Sequence, residues 1–149
     1  MKTFKNILFA TDFSECSKAA FEYAFGLAKA CDAKLTILHV ISEPVDLRGF
    51  YVPHMTFDAL AKEIEEGAHK LMDEFCAKYV DNGSCCCDRR VVSGIAHEVV
   101  IEQAKELGVD MIVMGTHGRS GLDHVLFGST AEKVVRKSPI PVLTVTQQA

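Results

Sequence analysis

The sequence predicts an α/β fold: a single domain on an open five-stranded parallel sheet with helices on both faces, Rossmann-like in kind. Three observations carry that prediction. Short apolar runs alternate with longer amphipathic stretches along the whole chain, the pattern of repeated β-α units. The runs are apolar at consecutive positions, as strands covered on both faces are. The chain has 149 residues and is 48% hydrophobic, a length that suits one domain and a composition that fills a core and excludes a disordered chain.

Residues 6–10, Asn-Ile-Leu-Phe-Ala, form the first apolar run and end in Thr11-Asp12. Ser14 is placed to cap a helix, and Ala20, Tyr23, Ala24, Leu27 and Ala28 recur at helical spacing up to about Asp32. Residues 34–41 read as the second strand. A connection over 42–55 follows, broken by Pro44, Gly49 and Pro53, and a connection of that length in a compact domain is often functional. A long helix is expected from Thr56 to about Val80, with Leu60, Ile64, Leu71, Met72, Phe75 and Tyr79 on one face. Asp81-Asn82-Gly83 turns the chain, and residues 85–92 are the third strand candidate. Ser93-Gly94 starts another helix, whose apolar positions are Val99, Val100, Ala104 and Leu107, and Gly108 closes it. Residues 110–114 are the fourth strand. A short helix over 129–137, with Val134 and Val135 as its apolar contacts, ends at Ser138-Pro139. Residues 141–146 are the fifth strand. Ligands of such sheets sit beyond the carboxyl ends of the strands, at the point where strand order reverses. The loops 11–14, 40–44 and 114–121 leave those ends.

The stretch after the fourth strand carries the chemistry. Met114-Gly115-Thr116-His117-Gly118-Arg119-Ser120-Gly121 leads, through residues 122–127, to Gly128-Ser129-Thr130. No G-x-x-x-x-G-K-[ST] is present, so this is not a P-loop, and no G-x-G-x-x-G follows the first strand. What remains is the spacing Gly115-x2-Gly118-x9-Gly128-Ser129. Glycine lets backbone approach a ligand. The N–H groups at a helix start, here Gly128 to Thr130, attract phosphate. Arg119 adds a charged fork. Ser129-x-x-Glu132 is equally a capping box that needs no ligand, and from the residues alone both readings stand.

That glycine spacing resembles the universal stress protein family, in its ATP-binding branch. So do the strand entering the spacing at Met114-Gly115, the terminal Pro141-Val142-Leu143 strand, Ala10-Thr11-Asp12 and Leu38-His39-Val40. The likeness covers essentially the whole chain. It implies a five-stranded parallel fold and a site for ATP with Mg²⁺ or Mn²⁺. In that site Asp12 lies near the ribose or a phosphate-bound metal, and Val40 holds adenine through its backbone. Met114 and Gly115 border the ribose, and Gly118, Arg119, Gly128, Ser129 and Thr130 take the phosphates. It also implies a homodimer through strand 141–146, open to higher assembly. Independently, an apolar terminal strand is an exposed edge unless it is covered.

The function expected from this is a stress-response regulatory protein, a dimeric nucleotide-dependent switch read by a protein partner that the sequence does not name. The alternatives are a slow ATPase or self-phosphorylating enzyme, and a dimeric interaction module that binds no nucleotide. Phosphoryl transfer needs a positioned base, and no residue here presents itself as one. The net charge of −4 argues against a dedicated nucleic-acid binder. No apolar run reaches the length of a membrane span, and the first residues lack a signal-peptide pattern, so a cytoplasmic location is expected. The six cysteines are expected to be reduced. Adjacent Cys85, Cys86 and Cys87 do not have zinc spacing and read as small buried hydrophobes. Asp12 reads equally as an Asx-turn residue, His117 and His124 as solvated loop histidines, and Arg89 and Arg90 as an exposed strand end.

Overall fold

Strand and helix alternate through β1 (Asn6–Thr11), α1 (Glu15–Cys31), β2 (Lys34–Ser42), α2 (His54–Tyr79), β3 (Cys87–Gly94), α3 (Ala96–Glu106), β4 (Met111–Gly115), α4 (Ser129–Lys137) and β5 (Val142–Val145). The computed structural model describes residues 1–42, 54–80, 87–117 and 127–147. All strand pairs are parallel, in the order β3-β2-β1-β4-β5. The order reverses between β1 and β4, and the carboxyl ends of those two strands therefore flank a crevice.

The period-two alternation of each strand divides the core into two layers. Ile7, Phe9, Leu35, Ile37 and Val113 face α1 and α2, together with Phe21, Met72 and Phe75. Leu8, Ala10, Leu38, Ile112 and Met114 face α3 and α4, together with Val100, Ala104 and Val134. Phe9 is fully buried, with its ring centroid 5.3 Å from that of Phe21 and 6.2 Å from that of Phe75. Burying one such ring stabilises the fold by about 1.5–3 kcal/mol.

Helix ends obey local rules. Ser14 Oγ accepts the Ser17 N–H at 3.2 Å, the N-cap expected for α1. At the end of α3 the Val109 N–H reaches the Ala104 carbonyl and the Gly108 N–H the Lys105 carbonyl, at 3.0 and 3.1 Å. Gly108 takes φ 59°, and the whole is a Schellman stop. Asp32 does the same for α1 with φ 52°, where Asp tolerates the left-handed region better than most residues.

Several expectations are corrected. Tyr23 and Val135 are exposed, not core contacts. Phe21 is buried instead: it lies on the stripe of Ser17, Ala20, Ala24 and Ala28 that faces the sheet, whereas Tyr23, two residues on, points to nearly the opposite side of the helix. α3 does not start at Ser93-Gly94: pairing of Ile41 with Ser93 and Ser42 with Gly94 keeps both in β3. Gly94 takes φ +149°, and a Cβ there would lie 2.8 Å from Val99 Cγ2. Arg89 is exposed, as expected, and Arg90 half-buried, but both are engaged by side chains of neighbouring helices. They point to opposite faces of edge strand β3, Arg89 to Asp73 of α2 at 3.0 Å and Arg90 to Gln103 of α3 at 2.7 Å. Cys87 packs half-buried against the α1–α2 layer; Cys85 and Cys86 lie outside the described residues. No helix among the described residues is long and apolar enough to cross a membrane.

Candidate functional site

β1 ends in a tight turn whose geometry is held from several sides. Asp12 Oδ1 accepts the Ser14 N–H at 3.0 Å, and Thr11 Oγ1 accepts the Phe13 N–H at 3.0 Å. Phe13 has φ 62°, a conformation costly for a bulky side chain. It is maintained by packing: the Phe13 ring lies 4.6 Å from the His39 ring and 5.8 Å from the Phe75 ring. His39 Nδ1 donates to the Thr11 carbonyl at 2.8 Å, since a carbonyl oxygen only accepts. The Asx turn at Asp12 is thus real, and it sets that carboxylate at the crevice.

Because β1 turns away, β2 outruns it. The β1–β2 ladder stops at Thr11 with His39, while the β2–β3 ladder continues to Ser42 with Gly94. Val40, Ile41 and Ser42 therefore extend past the last β1 partner, and their β1-side edge borders the space above β1.

β4 enters the same space. Thr116, almost fully buried, donates its N–H to the Val145 carbonyl at 3.0 Å and accepts the Gly128 N–H at 2.6 Å. This pair brings the start of α4 to the end of β4. Gly128 is the N-cap of α4 and provides no side-chain cap, so the capping-box reading of Ser129 falls: Ser129 is the first helical residue, and Glu132 pairs with Arg136 instead. The helical ladder begins with Glu132 N–H to the Gly128 carbonyl. The N–H groups of Ser129, Thr130 and Ala131 precede it.

These ends surround a cleft of about 740 Å³. Of the residues expected at a site, Asp12, Val40, Met114, Gly115, Gly128, Ser129 and Thr130 all line it. Gly118 and Arg119 lie outside the described residues, as does His124. His117 lines the cleft, half-buried, with Nδ1 3.0 Å from Thr116 Oγ1. The reason for Gly115 differs from the one expected. A Cβ there would lie 3.0 Å from Cys16 Sγ and 3.2 Å from the Cys16 carbonyl carbon and oxygen, so α1 packing demands glycine.

The sequence reading missed one wall. Ile64, Gly67, Ala68 and Leu71 of α2 line the cleft, and Ile64 and Leu71 are 42% and 40% exposed. Their helical periodicity looks the same whether they face the core or a cavity. The small pair Gly67-Ala68 was the available signal. Among the described lining residues Asp12 is the one carboxylate, and no group of three metal-ligating side chains occurs among the described residues.

The fold and cleft can be set beside known proteins. The model of the universal stress protein family matches residues 3–146. Universal stress protein MJ0577 of Methanocaldococcus jannaschii is 33% identical over 158 aligned positions, which cover 97% of this chain and 96% of that one. The structure solved for MJ0577 superimposes with a TM-score of 0.86 at 32% identity, over 99% of each chain. Universal stress protein YxiE of Bacillus subtilis is 36% identical over 147 positions, covering 95% of this chain and 99% of its own. A universal stress protein solved in complex with cAMP superimposes with a TM-score of 0.72 at 25% identity, over 97% of this chain and 98% of that one.

Proposed function

The chain belongs to the universal stress protein family, and we propose that it is an adenine-nucleotide-binding regulator that takes ATP with Mg²⁺ in the cleft at the switch point. One observation carries the reading. A single cleft joins an unpaired strand edge, a carboxylate and an N-terminal helix end. These match the three parts of a nucleotide: base, ribose and phosphate. The volume suits a small-molecule site, and a relative solved with cAMP holds a ligand of this class.

In this reading the base lies along Val40, whose backbone edge offers hydrogen bonds, against the apolar Ile64–Leu71 wall. Met114 and Gly115 border the ribose. Phosphate oxygens meet the N–H groups of Ser129, Thr130 and Ala131 and the two hydroxyls, where the helix dipole favours negative charge. Gly118 and Arg119 complete the phosphate contacts. Mg²⁺ keeps most of its waters and needs only one or two carboxylates beside phosphate; Asp12 supplies one. The metal neutralises phosphate charge when bound. The plentiful backbone and hydroxyl donors suit a site that serves binding and switching more than turnover. The protein acts in the cytoplasm as a dimer whose nucleotide state a partner reads.

Thermal melting tests this. Mg-ATP at about one hundred times its Kd stabilises a binder by about 2.7 kcal/mol, and an Asp12→Ala variant should lose most of the Mg²⁺-dependent part of that gain. A melting temperature that millimolar ATP, AMP and cAMP all leave unmoved rejects the nucleotide site.

A further inference from the structure

The turn after β1 is fixed one peptide plane at a time. Each peptide unit is planar, so a hydrogen bond to its carbonyl or its N–H restrains the orientation of the whole unit. The Thr11–Asp12 unit is held by its carbonyl, which accepts from His39 Nδ1 at 2.8 Å. The Asp12–Phe13 unit is held by its N–H, which donates to Thr11 Oγ1 at 3.0 Å. The Phe13–Ser14 unit is held by its N–H as well, which donates to Asp12 Oδ1 at 3.0 Å. The Cα of Asp12 stands between the first two units, and their orientations together direct its side chain. Asp12 lines the cleft.

The last two bonds are made within the turn. The first comes from β2, 28 residues along the chain. His39 is the last β2 residue in register with β1, opposite Thr11, so its ring meets the terminal β1 carbonyl where the ladder stops. The same ring has a second hold on the turn. Its centroid lies 4.6 Å from that of Phe13, whose φ of 62° is a conformation that a bulky residue keeps only while its surroundings hold it. The α1 side is anchored differently: Thr11 Oγ1 lies 2.6 Å from Ser17 Oγ, both residues being buried. That anchor acts on a side chain. The His39 anchor acts on the backbone unit that precedes Asp12.

We propose that His39 is a positioning residue of this cleft: by fixing the Thr11 carbonyl it holds the Asp12 carboxylate ready for a phosphate-bound Mg²⁺, and so sets how strongly the cleft prefers a Mg²⁺-chelated polyphosphate nucleotide to AMP. The inference rests on the nucleotide reading above. Mg²⁺ tolerates little departure from octahedral geometry, and a ligand serves it best when the groups behind it have already fixed its direction. The contacts proposed for base and ribose belong to β2 and β4, not to this turn. The loss of the His39 bond therefore falls on the metal-dependent part of binding.

The test is calorimetric titration of the full chain, of His39→Leu and of His39→Asn with ATP and Mg²⁺, with ATP and EDTA, and with AMP. Amide exchange followed by NMR in the ligand-free proteins reads the turn itself, and circular dichroism accompanies each variant. Leucine fills space without a donor, whereas asparagine carries an N–H donor bonded to Cγ, as histidine does at Nδ1. His39→Leu is expected to cut the tightening that Mg²⁺ gives ATP about tenfold, as loss of the partner behind a metal ligand does. It should also speed exchange of the Phe13 and Ser14 amides, while ATP with EDTA and AMP weaken far less. His39→Asn should recover most of the Mg²⁺ effect. If His39→Leu does not fold, His39→Gln replaces it, since its donor stands one bond farther out. The inference is overturned if the variant without the donor keeps the wild-type Mg²⁺ effect, if it weakens all three ligands alike, or if asparagine restores nothing. A wild type whose ATP binding Mg²⁺ does not tighten also overturns it and leaves adenine-nucleotide binding standing; a wild type that binds none of the three ligands removes both.

Discussion

At Gly115 the contact is with backbone, which cannot swing aside. A methyl group would sit 3.2 Å from the Cys16 carbonyl, so Gly115→Ala must shift the start of α1 or the end of β4. Overpacking of this kind costs about 1–3 kcal/mol, which urea denaturation should register even in the absence of any ligand. A glycine in a motif was readable from the sequence; that its first duty is to a helix was not, because helix-to-strand distance is not written in spacing. Asp110 is a second case. Its Oδ2 accepts the Lys5 and Asn6 N–H groups at 2.7 and 3.0 Å, and these bonds, with the Lys2 and Lys5 charges, hold its carboxyl below its ordinary value of 3.8. A lowered folded-state pKa contributes stability above the unfolded value and loses it as pH falls through the folded one. The stability gap between wild type and Asp110→Asn should therefore be flat at neutral pH and close as the pH drops below 3.8. A gap that widens in acid would show that the two backbone bonds do not govern this residue. Cys76, by contrast, is a thiol that burial pushes up, consistent with a packing role.

At the scale of elements, α2 shows what periodicity can and cannot say. Its buried contacts, Met72 and Phe75, were legible. Its exposed apolar residues were not, because a cavity wall and a core face share one spacing. Gly67 sits mid-helix on that wall, and a Cβ there meets nothing within 4 Å. Gly67→Ala should thus raise stability by about 0.5–1 kcal/mol, measured by urea denaturation, with Mg-ATP binding little changed. The β3–α3 junction misled for a related reason. Ser93-Gly94 carries the composition of a helix start, yet the β2 ladder holds both residues as strand. Local preference yields where a neighbouring strand supplies hydrogen bonds. Arg89 is exposed as its sequence suggested, yet its partner Asp73 and the Gln103 partner of Arg90 come from helices that no local pattern places within reach.

For the whole molecule, β5 is an edge strand with Val142 and Leu143 half-buried, and such an edge invites pairing. In the proposed dimer this edge is the interface. Thr144→Lys with Thr146→Lys places charge along it, and sedimentation equilibrium should then find a monomer where the wild type is a dimer; an unchanged association state would move the interface elsewhere. By itself, the sequence determined the α/β class, the five strands, most element bounds and the family, because these depend on local periodicity and on short motifs. It also named seven residues, from Asp12 to Thr130, that line one cleft. The strand order, the overhang of β2 past β1, the α2 wall and the His39 bond to the β1 turn were decided only by tertiary structure. Each of these is a relation between segments far apart in the chain, set by how the sheet twists and the layers pack, and no local pattern records it.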